Sequence, residues 1–322
     1  MQTELAPSAQ RRSRSRHVDS WVYFDSEIVR YHDVHLGPMT HALHYGTGCF
    51  EGIRAYWNAA QQQLYVLQAE AHFDRLRRSA SILRLSLPGS SGELTALTVD
   101  VLRRNEARTD TYIRPLVFIS DEVIGVSLHN LQQSFLIYTA PLGEYLALES
   151  GIRCVTSSWR RVPDAAIPAR AKVTGSYVNS ALAKSEALEA GYDEAIMLSM
   201  DGHVSEGSAE NLFMFKDSVF VTPPVTDDIL EGITRRLMMG LIRTELGVQV
   251  VERSIDRTEL YACDELFLCG TGAQVSPVTS VDRRRIGDGE VGRHSRRLQE
   301  VYFAAVRGED PRYRDWLTPV YS

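Results

Sequence analysis

The stretch "ARAKVTGSYVNS" (residues 169–180) places one lysine, Lys172, among small, apolar and hydroxyl-bearing neighbours, just ahead of a segment with helical character. The chain contains only two other lysines, Lys184 and Lys216, because arginine supplies nearly all of its remaining positive charge. A lysine amine becomes a nucleophile when burial or a neighbouring cation lowers its pKa. No acidic residue adjoins Lys172 in the sequence, so the amine is either reactive or an ordinary loop lysine, and spacing alone favours the loop.

Helical and strand patterns are mixed on both sides of this stretch. Apolar residues at helical spacing, in two cases followed by a glycine suited to end a helix, predict helices at 71–85, 94–105, 176–191, 232–247 and 294–307. Apolar, β-rich runs predict strands at 111–120, 133–142, 152–161, 248–255 and 265–272, with hairpin turns at Asp25-Ser26 and Asp201-Gly202. The fold class that these elements indicate is α+β or mixed α/β.

The length of 322 residues suggests two domains. Residues 1–17 are polar and end in "RRSRSRH", which is typical of a disordered tail, although an arginine-rich arm could also contact nucleic acid. A linker near 143–151 divides the rest into a small N-terminal α/β domain at 18–145 and a larger C-terminal α/β domain at 146–322.

Charge and cysteine content exclude several classes of protein. The net charge of −6 argues against broad binding to nucleic acids or membrane surfaces, and no apolar run reaches the roughly 18 residues that span a bilayer. The N-terminus lacks the apolar region of a signal peptide. The four cysteines form no C-x-x-C pair and no zinc-binding pattern with histidines, so we expect a cytoplasmic protein without a metal site.

Two glycine-containing segments are suited to bind anions. "EGITRR" (231–236) opens a predicted helix, where unpaired backbone N–H groups, the helix dipole and the Thr234 hydroxyl favour a phosphate. "CGTGAQVSP" (269–277) follows a predicted strand and places Thr271 between two glycines in a turn. An ordinary helix start and an ordinary turn are the competing interpretations.

Two further segments supply charged groups. "VSEGSAENLF" (204–213) carries Glu206 and Glu210, either of which could pair with a ring nitrogen or be solvated. "YIRPL" places Tyr112 and Arg114 at alternate positions of a strand, where both side chains point to one face and could bind a carboxylate. A lysine, a carboxylate, phosphate sites and a carboxylate clamp together are the components of a pyridoxal-phosphate (PLP) enzyme.

The same motifs, in this order and spacing, resemble the branched-chain amino-acid aminotransferases of PLP fold type IV. The resemblance covers about residues 20–310 and rests on "HALHYGTGCFEGIR", "AKVTGSYVNS", "SEGSAENLF", "LEGITR" and "CGTGAQVSPV". It implies a two-domain fold like that of the D-amino-acid aminotransferases, with pyridoxal 5′-phosphate at the domain interface. It also reverses the loop interpretation of Lys172.

The resemblance assigns roles to individual residues. Lys172 would form a Schiff base with the cofactor and then move the proton during catalysis, while Tyr177 would bind the phenolic oxygen and Glu206 the pyridine nitrogen. The phosphate would be bound by Arg75, Ile233, Thr234 and Thr271. The substrate would be bound by Tyr112, by the backbone N–H groups of Thr271 and Gly272, and by a side-chain pocket of Tyr45, Phe50, Arg114 and Tyr145, with Tyr45 reaching in from a second subunit.

The activity implied is ping-pong transamination through pyridoxamine 5′-phosphate, from an L-amino acid of the branched-chain or a similar aliphatic type to 2-oxoglutarate. The resemblance also implies a homo-oligomer, either a dimer or a hexamer built from dimers. Leu142 stands where many relatives have a bulky aromatic residue, and "TGAQ" replaces a more usual "TAAE"-like turn. A D-amino-acid aminotransferase, an amine transaminase, a lyase resembling aminodeoxychorismate lyase and a specialised-pathway aminotransferase therefore stay open as alternatives.

Overall fold

The computed structural model describes residues 19–143 and 146–321. Within these ranges the chain forms six α-helices and two β-sheets, which confirms the mixed α/β prediction. The helices are α1 (His41–Tyr45), α2 (Ala69–Ile82), α3 (Ser91–Arg104), α4 (Tyr177–Glu189), α5 (Ile233–Glu245) and α6 (Arg293–Val306). Short 3₁₀ turns lie at Tyr31–Asp33, Val225–Asp227, Arg257–Ala262 and Pro311–Trp316. None of the helices in the described ranges combines the length and apolarity needed to cross a lipid bilayer.

The first sheet is antiparallel and comes mostly from the N-terminal half of the chain. Its strands are β1 (Trp21–Phe24), β2 (Glu27–Arg30), β3 (Gly48–Phe50), β4 (Ile53–Asn58), β5 (Gln63–Leu67), β6 (Thr111–Ile119), β7 (Gln133–Pro141) and β17 (Leu317–Pro319). They lie in the order β17-β5-β4-β6-β7-β1-β2, with β3 paired to β6. The hairpin predicted at Asp25-Ser26 joins β1 to β2, with Asp25 at a φ of 54°.

Helices α2 and α3 pack on this sheet and close its core. Phe73 and Leu76 of α2 and Leu102 of α3 are fully buried against it. Helix α3 begins three residues earlier than the predicted helix, because Ser90 and Glu93 form a reciprocal capping box. The apolar spacing predicted the helix but did not indicate where it starts.

The second sheet holds the strands from the middle and C-terminal parts of the chain. These are β8 (Ile152–Arg160), β9 (Glu194–Leu198), β10 (Val204–Gly207), β11 (Asn211–Lys216), β12 (Val219–Thr222), β13 (Val250–Glu252), β14 (Glu265–Gly270), β15 (Gln274–Val281) and β16 (Arg284–Arg285). Their order is β10-β9-β8-β15-β14-β11-β12-β13, with β16 paired to β15. The pairs β8–β9, β8–β15 and β12–β13 are parallel. Strand β13 is shorter than predicted, because only Val250–Glu252 pair with the four-residue strand β12 at this edge of the described sheet.

Helix α4 is the crossover that makes β8 and β9 parallel, since parallel neighbours cannot be joined by a tight turn. It ends as predicted, with Gly191 in the left-handed conformation at a φ of 81°. The predicted hairpin follows, with Gly202 at a φ of 96° between β9 and β10. The lysine segment immediately precedes this crossover helix.

A third apolar cluster joins the two sheets. Tyr56 of β4 belongs to the same buried cluster as Phe213 and Phe267 of the second sheet and Met238 of α5. The Tyr56 hydroxyl also forms a hydrogen bond with the Tyr302 hydroxyl of α6, with the oxygens 3.0 Å apart. These contacts fix the two sheets relative to each other, and the candidate site lies between them.

The lysine segment is bound to the first sheet through its backbone. The N–H of Phe50 donates to the Lys172 carbonyl oxygen at 3.1 Å, and the N–H of Thr174 donates to Gly48 at 2.8 Å. A Cβ atom on Gly46 would lie 2.6 Å from the Cα of Gly175, and Gly46 has a φ of 64°. Glycine is therefore needed at Gly46, where α1 ends and approaches the lysine segment.

Candidate active site

A cavity of about 910 Å³ lies where the two sheets face each other. Most residues that the sequence proposed for the site line it: Phe50, Arg75, Tyr112, Arg114, Lys172, Tyr177, Glu206, Ile233, Thr234, Thr271 and Gly272. They come from both sheets, from α2, from the lysine segment and from the amino ends of α4 and α5. Residues more than 200 positions apart in the chain thus share one concave site.

The Lys172 amine points into this cavity. It donates a hydrogen bond to the Tyr177 hydroxyl, with Nζ and Oη 2.5 Å apart. Nζ also lies 5.1 Å from the ring centroids of Phe50 and Tyr177. The amine therefore has a hydroxyl and two aromatic faces around it, which is a suitable setting for a nucleophilic amine.

Glu206 presents a buried carboxylate to the same cavity. Its Oε1 lies 2.9 Å from Nη2 of Arg161, and its Oε2 accepts hydrogen bonds from Asn211 Nδ2 at 3.0 Å and from the Leu230 N–H at 3.1 Å. Burial raises the pKa of Glu206, while Arg161 and the Leu230 N–H partly oppose the rise. The solvated alternative for Glu206 is wrong, since its side chain is buried.

The sequence interpretation missed both Arg161 and Asn211. Asn211 lies inside the quoted "SEGSAENLF" motif, five residues after Glu206, so this motif could have identified it as a partner of Glu206. Arg161 gave no such signal, because it is the second of two adjacent arginines and only the fold buries it.

The amino end of α5 forms one wall of the cavity. Its N-cap is Gly232, which has no side chain to satisfy the backbone N–H groups of the first turn. Ile233 and Thr234 follow, and the Gly270–Gly272 turn between β14 and β15 places Thr271 in the same lining. The two anion-binding segments predicted from the sequence are thus brought together.

Arg75 of α2 lies beside this wall and is fixed by a buried carboxylate. Its Nε and Nη2 donate to the two oxygens of Glu51 at 2.7 and 2.8 Å, and its Nη1 donates to the Glu231 carbonyl at 2.9 Å. His72 binds the same carboxylate at 2.7 Å. Burial alone would raise the pKa of Glu51, but Arg75 and His72 hold that pKa well below its usual range.

Tyr112 and Arg114 lie on one face of β6, as predicted. Arg114 donates to the Tyr112 hydroxyl through Nη2 at 2.5 Å and Nε at 3.1 Å, and its guanidinium lies 4.3 Å from the Phe50 ring centroid. Burial raises the pKa of Tyr112, and Arg114 partly opposes this. A Cβ atom on Gly52 would lie 2.5 Å from the Tyr112 hydroxyl, so this glycine makes room for it.

Two of the predicted site residues do not join this lining. Tyr45 lies on α1, is 38% exposed, and accepts a hydrogen bond from the Gly125 N–H at 3.2 Å. Tyr145 lies outside the described residues. Lining residues that the sequence interpretation did not assign include Tyr31, Leu116 and Tyr138, while Leu142 does border the cavity.

The cavity fits a phosphate-bearing aromatic aldehyde. The uncapped α5 end, Arg75 and Thr271 suit a phosphate, Glu206 suits a protonated ring nitrogen, and Lys172 is an amine that can react with an aldehyde. The described residues contain no cluster of three His, Cys, Asp or Glu side chains placed to hold a metal ion.

Comparison with known proteins gives a consistent result. The family model for class IV amino-transferases matches residues 48–281. A probable branched-chain-amino-acid aminotransferase of Aquifex aeolicus is 48% identical over 94% of this chain and 97% of its own length. The crystal structure of a branched-chain aminotransferase from Thermoproteus uzoniensis with norvaline is 42% identical, with a TM-score of 0.89 over 94% of this chain and 99% of that one.

A further solved structure bears on the cofactor. The branched-chain amino acid aminotransferase of Thermobaculum terrenum, in its PLP-bound holo form, is 35% identical, with a TM-score of 0.91 over 95% of this chain and 100% of that one. These relatives favour the branched-chain interpretation over the D-amino-acid, amine and lyase alternatives. The chain belongs to the class IV aminotransferases, and within them to the PLP-dependent branched-chain amino-acid aminotransferases.

Proposed function

We propose that this chain catalyses transamination between a branched-chain L-amino acid and 2-oxoglutarate. The reaction is reversible, and in the direction that uses glutamate as the amino donor it is a step of branched-chain amino acid biosynthesis. The observation that carries the proposal is the convergence of Lys172, Glu206 and the amino end of α5 on one cavity, in a chain of the branched-chain group. When bound, PLP supplies a reactive aldehyde and a ring that withdraws electrons.

The residues around the cofactor have distinct tasks. Lys172 binds the cofactor covalently at rest and, once displaced by substrate, carries the proton to and from the substrate Cα. Tyr177, 2.5 Å from the amine, orients it and binds the phenolic oxygen. Glu206 holds a proton on the ring nitrogen, which keeps the ring electron-withdrawing.

The phosphate is bound by Arg75, by Thr271 and by the first turn of α5 at Ile233 and Thr234. Support comes from the glycine N-cap, which leaves the N–H groups of this turn without a side-chain partner. Arg75 adds a cation already oriented by Glu51. Because these donors are already held in place, they lose little conformational entropy when the phosphate binds.

Tyr112 and the N–H groups of Thr271 and Gly272 bind the substrate α-carboxylate. Because the Tyr112 oxygen accepts two N–H bonds from Arg114, its own proton is directed elsewhere and can be donated to a carboxylate. The 2.5 Å contact with Arg114 therefore also orients the tyrosine.

One side-chain pocket has to accept both leucine-like chains and glutamate. Phe50 supplies apolar surface, together with Tyr31, Tyr138 and Leu142, which also line the cavity. Arg114, stacked on Phe50, can bind the distal carboxylate of glutamate. We assign Tyr145 to this pocket, and Tyr45 to the same pocket of a second subunit.

The substrate assignment predicts a specific pattern of reactivity. With purified holoenzyme, we expect L-leucine, L-valine and L-isoleucine to convert bound PLP to its amine form, as followed by loss of the visible absorption band. D-alanine and aromatic amines should leave the band unchanged over the same time. Conversion by D-alanine without conversion by L-aliphatic amino acids would contradict the assignment.

We further propose that the chain is a homo-oligomer, a dimer or a hexamer built from dimers. Support comes from exposed apolar residues on α1 and the 121–126 loop: Leu43 is 63% exposed, Ile124 87% and Val126 78%. Tyr45 binds Gly125 at the same place, so an interface here would bring it close to a second copy.

The oligomer proposal predicts that Ile124→Glu with Val126→Glu weakens self-association, because it would bury charge in an interface. Sedimentation velocity should show a smaller species, and activity should fall as the oligomer dissociates. The matched control is Met200→Glu, which charges another exposed apolar side chain outside this region. An unchanged sedimentation coefficient in the double variant would exclude this surface.

The division of the chain and its compartment complete the proposal. We propose two domains, 18–145 and 146–322, with the cofactor between them, supported by the two sheets that flank the cavity; strand β17 returns to the first sheet. The proposed tail at 1–17 lies outside the described residues.

A cytoplasmic location is supported by four buried thiols without a disulfide.

A further inference from the structure

Arg161 is a buried arginine that the roles above do not use. It follows β8 directly, and its N–H donates to the Leu198 carbonyl at 2.8 Å. Its guanidinium contacts three other parts of the chain: Nη2 contacts Glu206, Nη1 contacts Ser180 Oγ at 3.4 Å and Nε contacts the Asp228 carbonyl at 3.3 Å. It is only 7% exposed, and it lines the cavity.

The hydrogen bonds of Glu206 leave capacity for one more donor. An ionised carboxylate offers about four acceptor positions. Arg161 uses one on Oε1, and Asn211 and the Leu230 N–H use two on Oε2. Since Glu206 lines the cavity, the remaining position is available to a donor on the ligand.

The charged side chains around Glu206 differ in whether they contact its carboxylate. Arg161 is in direct contact, while Lys172 and Arg75 act on Glu206 electrostatically without a hydrogen bond to it. Glu210, four residues on, is a further buried carboxyl that interacts with Glu206. The cation with the strongest hold on the Glu206 charge is therefore Arg161.

We propose that Arg161 is a positioning residue that keeps Glu206 ionised, so that the shared proton stays on the cofactor ring nitrogen and not on Glu206. This inference rests on the proposed role of Glu206 as the partner of that nitrogen. Arg161 lowers the proton affinity of Glu206, because its guanidinium is in direct contact with the carboxylate. A neutral, buried Glu206 would donate a hydrogen bond to an unprotonated ring, which withdraws electrons less strongly.

The competing explanation is that Arg161 only ties β8, α4 and the 228–230 segment together. A purely structural arginine would change stability without changing the protonation of the bound cofactor. The two explanations therefore differ in a spectroscopic quantity, the nitrogen-15 chemical shift of PLP labelled at the ring nitrogen.

The test compares holoenzymes carrying this labelled PLP. In wild type the ring nitrogen should be protonated, and in Arg161→Met its shift should move toward the unprotonated value. An opposite charge in contact shifts a carboxyl pKa by about 1–3 units, so kcat should fall roughly tenfold or more. The KM for the amino acid should change less, because Arg161 is not assigned to the substrate. Arg161→Lys keeps the charge and should keep the ring protonated.

Two further variants serve as matched comparisons. Asn211→Leu removes a neutral donor from Glu206 and should leave the ring protonated. Arg257→Met removes an arginine 2.8 Å from Asp282, a carboxylate that also has neutral donors but does not line the cavity, and it should change neither the nitrogen shift nor kcat.

The proposal is overturned if Arg161→Met folds and retains the wild-type nitrogen shift. It is also overturned if Arg161→Lys or Asn211→Leu shifts the ring nitrogen to the unprotonated value that is expected for Arg161→Met. Should Arg161→Met fail to fold, Arg161→Gln replaces it, because the amide can still donate hydrogen bonds in the place of the guanidinium but carries no charge. Its nitrogen shift should move toward the unprotonated value, and a wild-type shift in that variant overturns the proposal. A wild-type enzyme that shows the expected shifts but transfers no amine contradicts the proposed function and leaves the Arg161 inference intact.

Discussion

Replacing Lys172 with alanine should reduce kcat by roughly 10⁴-fold or more, because the change removes both the covalent link to PLP and the group that moves the proton. The protein should remain folded. The segment is held by backbone hydrogen bonds at Phe50 and Thr174 that do not involve the lysine side chain. Cofactor binding should also weaken, since only the noncovalent contacts remain.

The measurement is the visible absorption band of the reconstituted protein, followed by single-turnover kinetics with L-leucine. The band of the covalent adduct should be lost in Lys172→Ala, and added methylamine should restore part of the activity. Lys216→Ala serves as the control, because Lys216 lies on β11 and does not line the cavity. A Lys172→Ala variant with the wild-type band would exclude Lys172 as the reactive amine.

The local features of the fold were predictable because they depend on neighbouring residues. Gly191 ends α4, Gly202 lies in a hairpin turn and Asp25 adopts a positive φ, each as the turn chemistry indicated. The start of α3 was missed by three residues, because the periodic pattern does not include the Ser90 cap. Local sequence thus gave element types more accurately than element ends.

The role of Lys172 could not be derived from its own segment. Its hydroxyl partner Tyr177 is near in sequence, but Phe50 lies 122 positions away, on β3 of the first sheet. The resemblance to a family supplied what spacing could not. The burial of Arg161, beside an Arg160 that is exposed, depends on the end of β8 and the packing around it, so no local pattern distinguishes the two arginines.

A second large effect is expected at Arg75, where Arg75→Met should destabilise the protein by about 3–5 kcal/mol at neutral pH, because it leaves the Glu51 carboxylate buried without its cation. The same change removes a charged phosphate donor, worth about 1.5–3 kcal/mol, so PLP should bind roughly ten- to a hundredfold more weakly. Chemical denaturation of the apo form and equilibrium titration with PLP measure the two effects separately.

The pH dependence of this destabilisation follows from the Glu51 pKa. In the wild type that pKa lies well below its ordinary value, so the stability contributed by the ionised Glu51 is present above about pH 4.5 and is lost as pH falls through the folded-state pKa. Without Arg75, burial should raise the pKa above its ordinary value. The difference in stability between variant and wild type should therefore be largest at neutral pH. It should shrink as the pH falls toward about 4.5, where the variant's Glu51 becomes protonated, and shrink further below that pH, where the wild type loses its own contribution.

The double variant Glu51→Gln with Arg75→Met separates the two tasks of Arg75. A neutral amide needs no cation, so most of the lost stability should return, while PLP affinity should stay as weak as in Arg75→Met. Glu51→Gln alone leaves a buried cation beside the phosphate site, so PLP should raise its melting temperature more than it raises that of the wild type. If the double variant recovered wild-type PLP affinity, Arg75 would serve only to neutralise Glu51, and the phosphate would be bound by the amino end of α5 and Thr271 without it.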